Sequence, residues 1–170
     1  MKFSLYTFDK SLKRFLSAFL IVLTLGVTIG ILYLNYTTNM TPSGTIERYN
    51  GSQQGEMDEF EIVENYPKQI SELLLTTHNH IISFAFIFGL IGIVFYFNSV
   101  ITGFWKSFLL IEPLISTVIT FSSIWGIRYI HEGFVYITVV SALLMYVSFY
   151  IMAAISLYEL NFKTDENKKE

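Results

Sequence analysis

The sequence predicts an all-α membrane protein, an antiparallel bundle of four transmembrane helices. Hydrophobic residues make up 52% of the 170 residues and charged residues only 15%, whereas soluble domains carry about 25% charged residues. The apolar residues form four long blocks, and about 20 such residues cross a bilayer as a helix. Cysteine is absent, which excludes a disulfide scaffold. The net charge of −3 excludes nucleic acid as a natural partner.

The four blocks divide the chain in order. An N-terminal segment, 1–14, precedes the first span, 15–34, and an acidic loop, 35–66, follows it. The second block becomes long enough if its helix begins at Pro67 and runs to 97, since proline is favoured in a first helical turn. The third span is 104–127, a polar turn is 128–133, the fourth span is 134–157, and the tail is 158–170. Within the loop, 35–55 is predicted to be irregular and 56–64 to form a short strand or a turn.

Basic residues beside the spans predict the orientation, because loops rich in Lys and Arg stay in the cytoplasm. Residues 1–14 contain four basic residues and one acid, while 35–77 contains two basic residues and seven acids. Lys106 lies beside the link between the second and third spans, and three lysines follow the fourth. Both termini are therefore predicted to be cytoplasmic, the acidic loop faces outward, and the bacterial inner membrane is the expected location.

Small and polar residues predict the faces that turn inward, because membrane helices pack through such residues. On the second span the predicted inner stripe is His78, Ala85, Gly89, Gly92 and Tyr96, and the predicted lipid face is Phe84, Ile87, Ile91 and Phe95. The third span offers Glu112, Ser116, Thr120 and Ser123; the fourth offers Thr138, Ser141, Met145, Ser148, Met152 and Ser156. The first span carries Gly26-x-x-x-Gly30. These stripes are explained by close packing alone, and they favour a compact bundle.

The three histidines are predicted at the outer ends of the helices. His78 and His80 precede the most apolar part of the second span, and His131 precedes the fourth. Neutral imidazole binds transition metals and haem iron, so haem b held by His78 and His131, or a metal, is one interpretation. The alternative is that these interfacial histidines bond only to water, backbone or lipid headgroups. No metalloprotease or haem-attachment motif accompanies them.

Two further features carry charge. Glu112 lies inside the third span and precedes Pro113; an ionisable group within the membrane usually faces a cavity or the bundle interior. Tyr96 is its predicted partner, and this site is interpreted either as a site for a proton, a cation or a quinol hydroxyl, or as simple packing. Arg128 and Glu132 lie in the outer turn beside His131. They are interpreted as an anion-binding cluster or as an interfacial arginine with an ordinary turn.

One stretch resembles a known group. Residues 66–80, which include Thr77-His78-Asn79-His80, are followed by Ile127-Arg128-Tyr129 and Gly133-Phe134. These pieces resemble a group of uncharacterised small bacterial inner-membrane proteins with a Thr-His-x-His entry to their second helix. The resemblance covers about one fifth of the chain. It implies a bacterial inner-membrane protein and draws attention to His78 and His80, but it implies no activity.

Three classes of function follow from the sequence. The first is an accessory or redox subunit of a membrane respiratory assembly that holds haem or metal. The second is a structural or assembly subunit that docks other membrane helices or a second copy of itself. The third is a small proton- or ion-handling protein centred on Glu112. A hydrolase is excluded, since no nucleophile motif occurs with a paired base, and the chain is not expected to be an enzyme on its own.

Overall fold

The computed structural model describes residues 4–52 and 66–164. Its helices are α1 (Lys10–Thr38), α2 (Pro42–Asn50), α3 (Ile70–Tyr96), α4 (Gly103–Tyr129) and α5 (Phe134–Asn161), preceded by a 3₁₀ turn, Leu5–Thr7. All except α2 are long and apolar enough to cross a membrane. The chain is thus an integral membrane protein, and no strand occurs among the described residues.

Short links make α3, α4 and α5 an antiparallel series. α4 and α5 form the most extensive contact, α3 packs on both of them, and α1 packs mainly on α5. We call the end that carries α2 the α2 end and the opposite one the termini end. At the termini end the 3₁₀ turn closes the bundle: Leu5 is fully buried, and its N–H donates to the Phe97 carbonyl at 3.1 Å.

The segment after α1 is helical where the sequence predicted an irregular loop. α1 ends at Thr38 and is followed by the capping residue Asn39, whose φ of 50° is left-handed. Thr41 then caps α2 by accepting from the Gly44 N–H at 3.0 Å. Pro42 occupies the first turn of α2, where its missing N–H costs nothing. The polar residues Asn39 and Thr41 of the described part of this segment serve as these caps. The predicted strand or turn at 56–64 lies outside the described residues.

The face of α3 that packs against the bundle is not the predicted one. The buried residues of its membrane part are Phe88, Ile91, Gly92, Val94 and Phe95, whereas His78, Ala85, Gly89 and Tyr96 are exposed. Only Gly92 of the predicted inner stripe is buried. The large side chains fill the space between α3, α4 and α5, because lipid and core are equally apolar and burial of aromatic surface improves packing. The helix also begins at Ile70, three residues after Pro67, with Gln69 and Glu72 forming a capping box.

Gly26 and Gly30 do not mediate a helix contact in the described chain. A Cβ added at either position would meet nothing within 4 Å, and the same holds for Gly89. α1 is attached to α5 by polar contacts on its other side instead. Thr28 Oγ1 and the Tyr150 hydroxyl lie 2.8 Å apart, and Asn161 Nδ2 donates to Ser17 Oγ at 3.0 Å. The side of α1 that carries the two glycines therefore remains open.

Candidate functional site

The interface between α4 and α5 contains a row of buried polar side chains, which we call the α4–α5 seam. Its members are Glu112, Ser116, Thr117, Thr120 and Ser123 from α4, and Thr138, Ser141, Ser148 and Ser156 from α5, with Met145 and Met152 between them. The sequence predicted these two faces from the spacing of their polar residues, and burial confirms both. Polar groups in a hydrocarbon environment need partners inside the protein, so the faces meet each other.

Glu112 is the carboxyl-bearing member of the seam, with an exposed fraction of 8%. Ser116 Oγ donates to Glu112 Oε1 and Ser148 Oγ donates to Oε2, both at 2.5 Å. The two carboxyl oxygens are thus held by hydroxyls from two different helices. Among the described residues no Lys or Arg forms an ion pair with this carboxyl group. The predicted partner, Tyr96, lies elsewhere: it is 61% exposed, and Lys106 Nζ lies 5.3 Å from its ring centroid.

The seam continues from Glu112 toward the α2 end as pairs of hydroxyls. Thr120 Oγ1 donates to Ser141 Oγ at 2.7 Å, and Ser123 Oγ lies 2.6 Å from Thr138 Oγ1. Between these pairs and Glu112, Thr117 Oγ1 contacts Met145 Sδ at 3.3 Å. Ser123 lies eleven positions after Glu112, which corresponds to about 16 Å along α4. The polar row therefore extends through about half of the bilayer core.

A second buried carboxyl group, Glu159, lies at the termini end of the seam. It is fully buried and accepts from Ser99 N at 2.7 Å and from Ser99 Oγ at 2.8 Å. Lys163 Nζ in turn donates to Ser99 Oγ at 2.8 Å. Glu159 was not among the predicted site residues, because the fourth span was predicted to end at 157 and 158–170 to form a tail. The signal was present: Ser148, Met152, Ser156 and Glu159 continue one helical stripe.

Along α5, Ser156 lies between Ser148, which donates to Glu112, and Glu159. It is fully buried, and its Oγ has no hydrogen-bond partner among the described residues. A buried hydroxyl without a partner is uncommon and carries a desolvation cost. It leaves one donor and one acceptor available on the stripe between Glu112 and Glu159.

The histidines do not assemble into one site. His78, His80 and His131 are all exposed, and the described residues contain no group of three or more His, Asp or Glu that could hold a metal ion. His131 Nδ1 accepts from the Gly133 N–H at 2.9 Å, so its other nitrogen carries the proton in the neutral ring. That tautomer has no free lone pair for iron or another metal. The sequence-based pairing of His78 with His131 therefore finds no support in the geometry.

The polar turn after α4 anchors neighbouring segments. Arg128 Nε donates to the Lys68 carbonyl at 3.2 Å, and its guanidinium lies 5.2 Å from the Tyr129 ring centroid. The exposed Glu132 accepts from Asn50 Nδ2 at 3.5 Å. Arg128 thus holds the segment before α3, whereas Glu132 makes only a long, exposed contact with the end of α2.

The short helix α2 covers the α2 end of the bundle through Tyr49. This side chain packs against a small buried cluster of Leu73, Phe121 and Ile124. Burial raises the pKa of Tyr49 above its ordinary value of 10.0, and nearby Arg48 partly offsets the rise. Trp125 Nε1 donates to Thr77 Oγ1 at 2.9 Å and holds α3 against α4 at the same level.

The comparisons with known proteins place the chain in a family. No curated protein and no solved structure matches it. The sequence model of one family matches residues 39–167, which contain α2 to α5 and the whole α4–α5 seam. Over three quarters of its length, therefore, the chain belongs to the family Aq_1264_TM, described as a transmembrane helical domain.

Proposed function

We propose that this protein handles protons within the membrane, with Glu112 as the group that takes up and releases the proton. The observation that carries the proposal is the burial of Glu112 between α4 and α5 with a serine hydroxyl on each carboxyl oxygen. Ionisable groups within the membrane are costly, and they mark proton relays or ion pathways. A purely structural contact at this position needs only hydroxyls, as the pair Thr120 and Ser141 illustrates.

The contacts of Glu112 favour a proton over a metal cation. Both serine oxygens lie at hydroxyl–carboxylate hydrogen-bond distance, about 2.5–2.7 Å. A hard cation such as Ca²⁺ instead takes six to eight oxygen ligands. Glu112 has only Ser116 and Ser148 around it as described oxygen partners, and those hydroxyl protons already occupy the space between the oxygens.

The neighbouring hydroxyls supply groups that pass a proton on, because each hydroxyl both donates and accepts. Toward the α2 end these are the pairs Thr120–Ser141 and Ser123–Thr138. Toward the termini end, Ser156 lies on the same stripe as Glu159. With the termini in the cytoplasm of a bacterial inner membrane, as Lys and Arg counts predict, Glu159 is the inner and Thr138 the outer limit of this row.

The proposal is tested by proton flux into liposomes that contain the purified protein and a trapped pH-sensitive dye. A potassium gradient with valinomycin supplies the driving potential. We expect Glu112→Gln to abolish the protein-dependent flux, because the amide has nearly the same shape but no acidic proton to release and take up near neutral pH. Glu132→Gln removes an exposed carboxyl group and serves as the matched control with unchanged flux.

A second measurement separates loss of function from misfolding. Infrared difference spectra recorded across a pH titration detect the carbonyl band of a carboxyl group that gains a proton. We expect such a band in the wild-type protein and its disappearance in Glu112→Gln with an unchanged amide spectrum. Equal flux in wild type, Glu112→Gln and empty liposomes would refute the proposal.

The other two classes rest on weaker support. A haem- or metal-holding redox subunit has in its favour only the occurrence of three histidines toward the α2 end, and a reduced-minus-oxidised visible spectrum with metal analysis tests it. A role in docking other subunits or a second copy is supported by the exposure of α1. Only 11% of the most apolar stretch of this helix is buried in the described chain. Stoichiometric co-purification in mild detergent would favour that role.

A further inference from the structure

A groove runs between α1 and α3, independent of the α4–α5 seam. Because α1 is attached to α5, and α3 packs on α4 and α5, the two helices leave a space of about 240 Å³ between them. Phe84 of α3 and Tyr146 of α5 line it with aromatic rings, which meet edge to face at 6.3 Å. Gly26 and Gly30 line it on the α1 side, and no side chain of the described residues fills the space above them.

The polar lining of this groove includes an imidazole with a defined tautomer. His80 Nδ1 lies 2.8 Å from the Thr76 carbonyl oxygen, and a carbonyl only accepts, so Nδ1 carries the proton. In the neutral ring Nε2 then has a free lone pair that accepts a hydrogen bond. Asn79 and Ser83, on the same helix, also line the groove. His80 thus combines a free acceptor nitrogen with a position in the wall of this groove.

The groove continues as an apolar channel toward the termini end. A second space of about 220 Å³ shares Gly26, Val27 and Ile87 with the first and is otherwise lined by Phe19, Val22 and Leu23. From Gly30 to Phe19 the channel follows eleven residues of α1, about 16 Å. Together the two spaces therefore form one groove, with polar lining near His80 and apolar lining along the part that extends toward the termini end.

The depth of the polar part restricts its ligand. About 20 helical residues cross a bilayer core. Phe97 follows the last residue of α3 at a polar link, and a span of that length counted back from Phe97 begins at Thr77. His80 consequently lies about 5 Å inside the hydrocarbon region, below the level of phospholipid phosphates. Among the residues that the structure describes, no Lys or Arg lines either space, so an anionic headgroup finds no counter-charge there. A polar but uncharged head with an apolar tail fits both conditions.

We propose that this groove binds a membrane quinol, with its ring at His80 and its isoprenoid tail along Phe19 and Val22. The ring hydroxyl donates to His80 Nε2, while Phe84 and Tyr146 pack against the ring. A cavity of about 150 Å³ suffices to hold a benzene ring, so the space beside His80 accommodates one substituted ring. The glycines at positions 26 and 30 let the flat ring approach the α1 backbone.

The test uses the full chain in phosphatidylcholine nanodiscs with decylubiquinol, kept reduced under argon, and decylubiquinone as probes. Bound probe is quantified after subtraction of the uptake by protein-free nanodiscs. We expect saturable binding of about one quinol per chain, tighter than that of the quinone, which has no hydroxyl to donate. His80→Phe should weaken quinol binding about fivefold, the value of one neutral hydrogen bond, and leave quinone binding nearly unchanged.

Two leucine substitutions make the test specific to the groove. Gly30→Leu should remove saturable binding of both probes, because its side chain enters an open space that the ligand needs. Gly89→Leu also enters open space but lines neither cavity, so its binding should equal that of wild type. Unchanged binding in Gly30→Leu, or displacement of the probe one for one by phosphatidylglycerol, would overturn the proposal, the latter by identifying a phospholipid site.

Discussion

Glu159 provides a stability test at the termini end of the bundle. Its carboxylate accepts two hydrogen bonds from Ser99, from the backbone N–H at 2.7 Å and from the hydroxyl at 2.8 Å. Ser99 belongs to the link between α3 and α4, and Leu5 binds Phe97 of the same region. One buried side chain on α5 therefore fixes the link that sets how α3 and α4 are paired. Glu159→Ala removes this attachment.

The expected loss follows from the number and kind of the bonds. A hydrogen bond to a charged group contributes about 1.5–3 kcal/mol, so two bonds give about 3–6 kcal/mol. Ser99 is only partly buried, and water restores part of its hydrogen bonding in the variant. We therefore expect Glu159→Ala to lower the free energy of unfolding by about 3 kcal/mol, the lower end of that range.

The measurement is equilibrium unfolding of the detergent-solubilised protein in increasing sodium dodecyl sulfate, followed by circular dichroism. Glu132→Ala is the matched control, because it removes an exposed carboxyl group and surface substitutions change stability by about 0.5 kcal/mol or less. A Glu159→Ala variant within 0.5 kcal/mol of wild type, by this same standard, would refute the assigned role of the Ser99 contact.

Two further predictions concern packing and pH. Gly126→Ala should lower the free energy of unfolding by about 1–3 kcal/mol, because the new Cβ would lie 2.4 Å from Phe134 Cδ1. The same unfolding assay should show little effect of the control Gly89→Ala, whose Cβ has no neighbour within 4 Å. The raised pKa of Tyr49 keeps its proton in the folded protein above pH 10, so the stability it contributes is complete below pH 10.0 and is lost as pH rises further. Tyr49→Phe should reduce that alkaline loss in melting curves at rising pH, and an unchanged loss would contradict it.

Hydropathy alone predicted the four membrane helices, and the structure confirms them. The reason is physical: a backbone in hydrocarbon must bond within its own helix, so a long apolar run in this setting has one stable form. The inward faces of α4 and α5 could also be predicted from the sequence. Ser116, Thr120 and Ser141 are costly in lipid, and their spacing alone indicates which side must meet another helix.

The buried face of α3 could not be predicted from the sequence in this way. Ile91 and Phe95 suit lipid as well as a protein interior, and the predicted inner stripe of small residues included Gly89, which is exposed. Where both surroundings are apolar, the choice depends on how side chains of different helices fit together. That fit also decided the open groove beside Gly30, which the sequence had suggested as a packing contact.

The sequence by itself thus determined the number of spans, the all-α class and the polar faces of the last two helices, since these follow from transfer of single residues into hydrocarbon. Tertiary structure alone decided that Glu112 meets Ser148 from α5, that Glu159 holds the link at Ser99, and that His80 lines a groove together with Gly30 of α1. Each of these pairings joins residues distant in the chain, and side-chain geometry between helices, which no local pattern encodes, selects them.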